Sequence, residues 1–324
     1  MRLKRRLVFP LFILPFAGLL WPLVSLADIT VEAGRGPVRV NIPPSYETGT
    51  SLPLLVFLHG FTSSGIEAES YLRFNALSDQ LDFFYVHPDG EKNSAGVPFW
   101  NATNACCDFL NSGTDDVGYL SALVDSIKSV LSVDPSRIYF AGHSNGGFMS
   151  YRMACEQSEW IAGIASLAGA TWGDHAECEA TDPVAVLQIH GTLDEVIRYD
   201  GGTIGFNRYP GVLETVAYWA ESNQCGSTPA VADSLDLSVQ YPGFETVVTQ
   251  YSGCEEGGAA EYWTMRGAGH VPLVAPAFSR HVAEWLLSHS KPESLETLGA
   301  FATWGEIKRS IVAIPPTDES SFGP

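Results

Sequence analysis

Residues 138–149 read Ile138-Tyr139-Phe140-Ala141-Gly142-His143-Ser144-Asn145-Gly146-Gly147-Phe148-Met149. An apolar run enters a glycine-flanked serine, and a helix-compatible run leaves it. That is Gly-x-Ser-x-Gly between a strand and a helix, the setting in which the motif carries chemistry. The turn is so sharp that the flanking positions must be nearly free of side chains, which Gly142 and Gly146 provide. A serine in such a turn stands clear of the sheet with its hydroxyl exposed. Ser144 is therefore the expected nucleophile, and the fold around it is expected to be a sheet whose strands feed helices.

Working outward, the apolar runs Leu54–Leu58, Ile161–Ala168 and Val184–Ile189 do not alternate with polar residues, which suits strands covered on both faces. Helical spacing appears over 67–80, 117–131, 212–222 and 278–287. Ile29–Glu32 and Val38–Ile42 read as an opening hairpin. Phe83–Val86, Val247–Tyr251 and Tyr262–Met265 read as further strands, and 90–114 as a long loop. The sum is an α/β class, a mostly parallel central sheet with helices on both faces.

A serine hydroxyl needs a base, and the base needs a carboxylate to fix its tautomer. In α/β-hydrolase sheets the order along the chain is Ser, acid, His. The acid should follow the strand 184–189. There the text is His190-Gly191-Thr192-Leu193-Asp194-Glu195, and Asp194 is the candidate. Its neighbour Glu195 would point elsewhere. Of the eight histidines, His59, His87, His143, His175 and His190 precede the acid, and His281 and His289 fall on the closing helix. His270 remains, in Gly267-Ala268-Gly269-His270-Val271-Pro272, and is the expected base. Two main-chain N–H groups should hold the developing oxyanion. Asn145 supplies one. Phe61, after the first buried strand, supplies the other, with Thr62 as the alternative. Asp115 and Asp116 read as caps of the 117–131 helix. Trp100 and Trp172 are candidates for the floor of a substrate cleft.

Composition limits the partners. Residues 1–27 join a basic start, an apolar stretch and the small residues Ser25 and Ala27, which reads as a secretory signal peptide. Residues 28–290 then form one catalytic domain and 291–324 a tail. Net charge is −19 over the full chain, which argues against nucleic acid, and against a membrane once the signal is cleaved. All six cysteines lie beyond residue 100. An even count in an exported chain implies disulfides. Local closure favours Cys155–Cys178 and Cys225–Cys254, leaving Cys106–Cys107 as a vicinal pair. No cysteine or histidine spacing suggests a metal site.

The chain resembles the polyhydroxybutyrate depolymerase and feruloyl esterase group of α/β hydrolases. The resemblance rests on the stretches 53–60, 115–119, 133–139, 142–149 and 189–194. It implies an α/β-hydrolase fold and a secreted serine carboxylic ester hydrolase without metal or organic cofactor. It also implies a substrate drawn from hydroxyalkanoate polyesters and oligomers or feruloyl-type esters. Ser144, Asp194 and His270 match the group's triad positions. The sequence departs from the group in Val271-Pro272 after the histidine, in the lack of a linker to a binding domain, and at Cys106-Cys107. A serine peptidase of the same fold and a non-catalytic binding protein on a hydrolase scaffold are the alternative readings.

Overall fold

The computed structural model describes residues 28–292. The expected signal peptide, 1–27, and all but the first two residues of the expected tail lie outside them. A ten-stranded sheet runs through the molecule. Its strands are β1 (Ile29–Glu32), β2 (Pro37–Asn41), β3 (Leu52–Leu58), β4 (Phe84–Val86), β5 (Val133–His143), β6 (Gly163–Leu167), β7 (Ala185–Gly191), β8 (Ala230–Leu235), β9 (Thr246–Gln250) and β10 (Ala259–Met265). In space the order is β1-β2-β4-β3-β5-β6-β7-β10-β9-β8. From β4 to β10 every neighbour is parallel. The two edges are closed by antiparallel strands.

The unalternated apolar runs are explained by two separate cores. Leu54, Val56 and Leu58 of β3 and Ile138 and Phe140 of β5 face one cluster, with residues of α3 (Asp116–Lys128), α4 (Asn145–Glu156) and α5 (Val212–Ser222). Leu55, Phe57, Tyr139 and Ala141 face the other, with α1 (Gly65–Leu72), α2 (Phe74–Leu81) and α6 (Phe278–Leu287). Successive strand side chains point to opposite faces, and both faces are covered, so every position is apolar.

Three features differ from the sequence reading. The single helix over 67–80 is two, because Arg73 adopts φ 58° between them. Strand β8 was not expected; its residues are mostly exposed, so no apolar pattern marks it. A hairpin, Gly201–Ile204 with Asn207–Pro210, stands where no element was read. The fold also runs past 290. The Lys291 N–H bonds to the Ser136 carbonyl at 2.9 Å and its ammonium to the Pro183 carbonyl at 2.5 Å. Burial lowers the Lys291 amine to about 8.

Three disulfides join Cys106 to Cys107, Cys155 to Cys178 and Cys225 to Cys254. Among the described residues no helix is long and apolar enough to cross a membrane.

Candidate active site

The parallel register brings four loops to one sheet edge. Leu58 pairs with Gly142, His143 with Leu167, Leu167 with Ile189, and Met265 with Gly191. Strands β3, β5, β7 and β10 therefore end level. The loops that follow them carry Phe61, Ser144, Asp194 and His270.

At the end of β5 the chain reverses into α4 within one residue. Ser144 has φ 55° and ψ −117°, a conformation L-residues rarely adopt. Its N–H is held by the Leu167 carbonyl at 2.8 Å. A Cβ on Gly142 would meet the Gly146 backbone, and one on Gly146 would meet the Leu58 carbonyl. The two glycines are thus demanded by backbone contact, Gly142 within the turn and Gly146 against the end of β3.

His270 Nε2 lies 2.9 Å from Ser144 Oγ, and its Nδ1 lies 2.7 Å from Asp194 Oδ2. The other Asp194 oxygen accepts the N–H groups of Val196 at 2.8 Å and Ile197 at 2.9 Å. His190 Nε2 approaches Asp194 Oδ2 at 3.2 Å and donates to the Ile197 carbonyl at 2.7 Å. Burial by itself would raise the Asp194 carboxyl. The hydrogen bonds from His190, His270 and the Ile197 N–H, with the charge of His270, reverse this and hold it well below the usual carboxylate range. It stays ionised and fixes the His270 tautomer, with Nδ1 carrying the proton and Nε2 free to accept from Ser144. The acid and histidine loops are tied to each other: Leu193 N–H donates to the Ala268 carbonyl at 2.9 Å, and Gly267 N–H to Thr192 Oγ1 at 2.9 Å.

The Phe61 and Asn145 N–H groups have no partner among the described residues, whereas the Thr62 N–H is taken by the Pro98 carbonyl at 3.0 Å. Asn145 also begins α4, where the helix dipole favours negative charge. Its side chain, fully buried, forms a pair of bonds with Trp100: Oδ1 accepts the Trp100 N–H and Nδ2 donates to its carbonyl, both at 2.8 Å.

Trp100 and Trp172 require correction. Neither lines the cleft. Trp100 is fully buried, donates from Nε1 to the His59 carbonyl at 3.1 Å and stacks on Tyr119. Trp172 is buried in the same core cluster. A tryptophan in a glycine- and asparagine-rich loop looks like a surface aromatic in sequence, yet here it is the apolar anchor of that loop. The cleft is instead a cavity of about 390 Å³ bounded by Phe57, Phe61, Tyr71, His143, Ser144, His270 and Val271 among others. Its walls are mostly apolar around a few convergent polar groups, as small-molecule sites usually are.

Sequence reasoning missed Tyr71, and it left His143 among the histidines that precede the acid and hold loops by hydrogen bonds, a role the structure bears out. His143 donates from Nε2 to the His270 carbonyl at 2.8 Å, and Tyr71 donates to the Pro272 carbonyl at 2.6 Å. Both steady the loop that presents the imidazole. Nothing in their spacing separates them from ordinary core aromatics. Asp115 accepts the Gly118 N–H at 2.8 Å as a helix cap. Asp116 is fully buried, pairs with Arg35 and accepts the Asn101 N–H at 2.6 Å.

A family model described as phospholipase/carboxylesterase matches residues 47–209, a span that includes Ser144 and Asp194. The chain belongs to the phospholipase/carboxylesterase family. Similar proteins include a feruloyl esterase B of Piromyces equi, 28% identical over 72% of this chain and 42% of its own length. A bifunctional acetylxylan esterase/xylanase of Neocallimastix patriciarum is 26% identical over 78% of this chain and 33% of its own length. A poly(3-hydroxyalkanoate) depolymerase C of Paucimonas lemoignei is 24% identical over 85% of this chain and 68% of its own. The chain thus spans less than half the length of the first two. These relatives fall in the group that the motif blocks resemble. Among solved structures, an acetyl xylan esterase from Aspergillus awamori superposes with a TM-score of 0.54 at 16% identity, covering 80% of this chain and 97% of that one. That likeness speaks for the α/β-hydrolase fold.

Proposed function

We propose that this protein is a secreted serine carboxylic ester hydrolase acting on hydroxyalkanoate oligomers or polyester, or on feruloyl-type esters. The observation that carries the reading is the unbroken series from Ser144 Oγ to His270 Nε2 and from His270 Nδ1 to Asp194 Oδ2, at 2.9 and 2.7 Å.

Ser144 Oγ attacks the ester carbonyl carbon while His270 Nε2 takes its proton. The carbonyl oxygen, now an anion, accepts from the Phe61 and Asn145 N–H groups. The tetrahedral adduct collapses as His270 returns the proton to the departing alkoxide, and the alcohol leaves. Water then enters, gives its proton to His270 and attacks the acyl-serine. Collapse releases the carboxylic acid and restores Ser144. Asp194 remains ionised and offsets the charge His270 acquires in each half-reaction. Residues 28–290 form the catalytic unit. Export is supported by the leader-like residues 1–27 and by three disulfides, which persist in oxidising compartments.

The test is Ser144→Ala measured on p-nitrophenyl butyrate. Loss of serine and its attack step typically lowers kcat by about 10⁴–10⁶-fold, and fluorophosphonate labelling is expected to vanish with it. Unchanged turnover or labelling would remove Ser144 from its role.

A further inference from the structure

Along 184–190 the chain turns alternate side chains to opposite faces of the sheet. Val184 and Val186 join one core cluster, and Leu187 and Ile189 join the other. Gln188 and His190 continue the valine row, so two polar side chains, 0% and 1% exposed, stand where apolar ones are expected. A buried amide and a buried imidazole cost free energy unless their polar atoms are paired, and aliphatic residues would serve the core at least as well. We propose that His190 is a positioning residue for Asp194, and that Gln188 and Tyr151 form the buried chain that sets its tautomer. The inference rests on the triad reading above and assigns further residues to that same site.

Gln188 Nε2 donates to the Gly169 carbonyl at 2.9 Å. A carbonyl only accepts, so this end of the amide is the NH2 group, and its other hydrogen meets His190 Nδ1 at 3.0 Å. Nδ1 is therefore an acceptor, and the imidazole proton sits on Nε2. Gln188 Oε1 accepts in turn from the Tyr151 hydroxyl of α4 at 2.7 Å, so the amide cannot turn over without losing its partners. The His190 ring proton faces the Ile197 carbonyl at 2.7 Å and Asp194 Oδ2 at 3.2 Å. The carboxylate thus has an imidazole N–H from His190 and one from His270 on Oδ2, and the main-chain N–H groups of Val196 and Ile197 on its other oxygen. These donors hold it in place with Oδ2 aimed at His270. The bond to the Ile197 carbonyl also closes the acid loop back onto β7. In the other tautomer Nε2 would turn a lone pair towards two acceptors, and the acid loop would be repelled. Of the other titratable groups around the pair, Tyr199 meets the His190 ring edge-on at 5.9 Å with its hydroxyl paired to Thr264 Oγ1, and His143 lies 5.1 Å from the His270 ring. Neither takes the place of the His190 N–H.

The experiment compares the natural protein with His190→Phe, His190→Gln and Gln188→Leu on p-nitrophenyl butyrate. Phenylalanine keeps the ring and removes the donor, so kcat is expected to fall about tenfold with KM nearly unchanged. The acid limb of kcat/KM is expected to move up by about 0.5 in pH, because a carboxylate that loses a donor offsets the charge on His270 more strongly. His190→Gln, whose amide nitrogen can reach the same two oxygens, is expected to recover most of kcat and to return the limb. A merely structural role would lower kcat and leave the limb in place. The tautomer is read without substrate from two-bond 1H–15N spectra of protein labelled with 15N-histidine. The signal that His190→Gln removes is expected to show Nε2 protonated in the natural protein and to lose that pattern in Gln188→Leu. Spectra with Nδ1 protonated, an unaltered pattern in Gln188→Leu, a His190→Phe limb that stays put, or a His190→Gln as impaired as His190→Phe would overturn the proposal. Unchanged turnover in Ser144→Ala would instead overturn the triad reading and leave the tautomer result standing by itself.

Discussion

His143 donates a hydrogen bond from Nε2 to the backbone carbonyl of His270 at 2.8 Å, and the two rings lie 5.1 Å apart. The residue before the proposed nucleophile thus holds the proposed base, across 127 positions of chain. The elbow and the histidine loop are consequently one mechanical unit.

His143→Ala removes that bond without touching any reacting atom. His270 is then held by Asp194 at its ring and by the loop ties at Gly267, Ala268 and Pro272. We expect kcat on p-nitrophenyl butyrate to fall about tenfold with KM nearly unchanged, since misplacement of a catalytic group is felt mainly in the transition state. An unaltered kcat would show that the loop keeps its shape unaided.

The same histidine makes a pH signature. Burial in its surroundings lowers the His143 imidazole from 6.5 to about 4. Above pH 6.5 both the folded and unfolded forms are neutral there, so the group is indifferent. Between 6.5 and about 4 the unfolded chain takes up a proton that the folded one refuses, so stability falls as pH falls. In His143→Gln this contribution is gone. The difference in thermal midpoint between the natural protein and His143→Gln is therefore expected to shift in favour of the variant as pH drops from 7 to 4. A constant difference across that window would contradict it. Asp194 acts below this range: its contribution, present above 3.8, is lost as pH falls towards its depressed folded value.

Asn145 offers a test that the oxyanion role does not. Its main-chain N–H survives substitution, but Asn145→Ala strips the buried Trp100 N–H of its partner and leaves the Trp100 carbonyl with the Cys107 N–H at 3.4 Å. Leaving that buried N–H unpaired is expected to lower unfolding stability by about 1–3 kcal/mol in urea titration. A loss under 1 kcal/mol, within the range of a single ordinary hydrogen bond, would mean that water or a shifted loop replaces the amide.

Ser144 stores strain at φ 55°. Glycine takes such angles freely. Ser144→Gly is expected to abolish activity yet raise the thermal midpoint by about 2–4 °C, the equivalent of roughly 1 kcal/mol in a domain of this size. A lowered midpoint would show that the serine side chain, not backbone relief, dominates the local energy.

Much of this arrangement is written locally. Continuous apolar runs announce strands covered on both sides, glycines at 142 and 146 announce a turn that only they fit, and Asp194 follows a strand end through a single glycine. Other parts leave no local trace. Strand β8 is exposed and carries no alternation. The break at Arg73 replaces one helix by two through a single residue's backbone angle. Trp100 and Trp172 look like cleft residues in a list of aromatics, but both are buried in the core cluster, Trp100 stacked on Tyr119 of α3.

The sequence by itself determined the turn, the strand pattern and the chain order of serine, acid and histidine, because those depend on neighbours a few residues apart. Only the tertiary structure decided that Ser144, Asp194 and His270 come within hydrogen-bonding distance and that Tyr71 and Val271 border the cleft. Those relations depend on strands of equal reach ending level along one edge, and their register is set by pairings between residues such as Leu58 and Gly142 or Gly191 and Met265, far beyond the reach of local sequence.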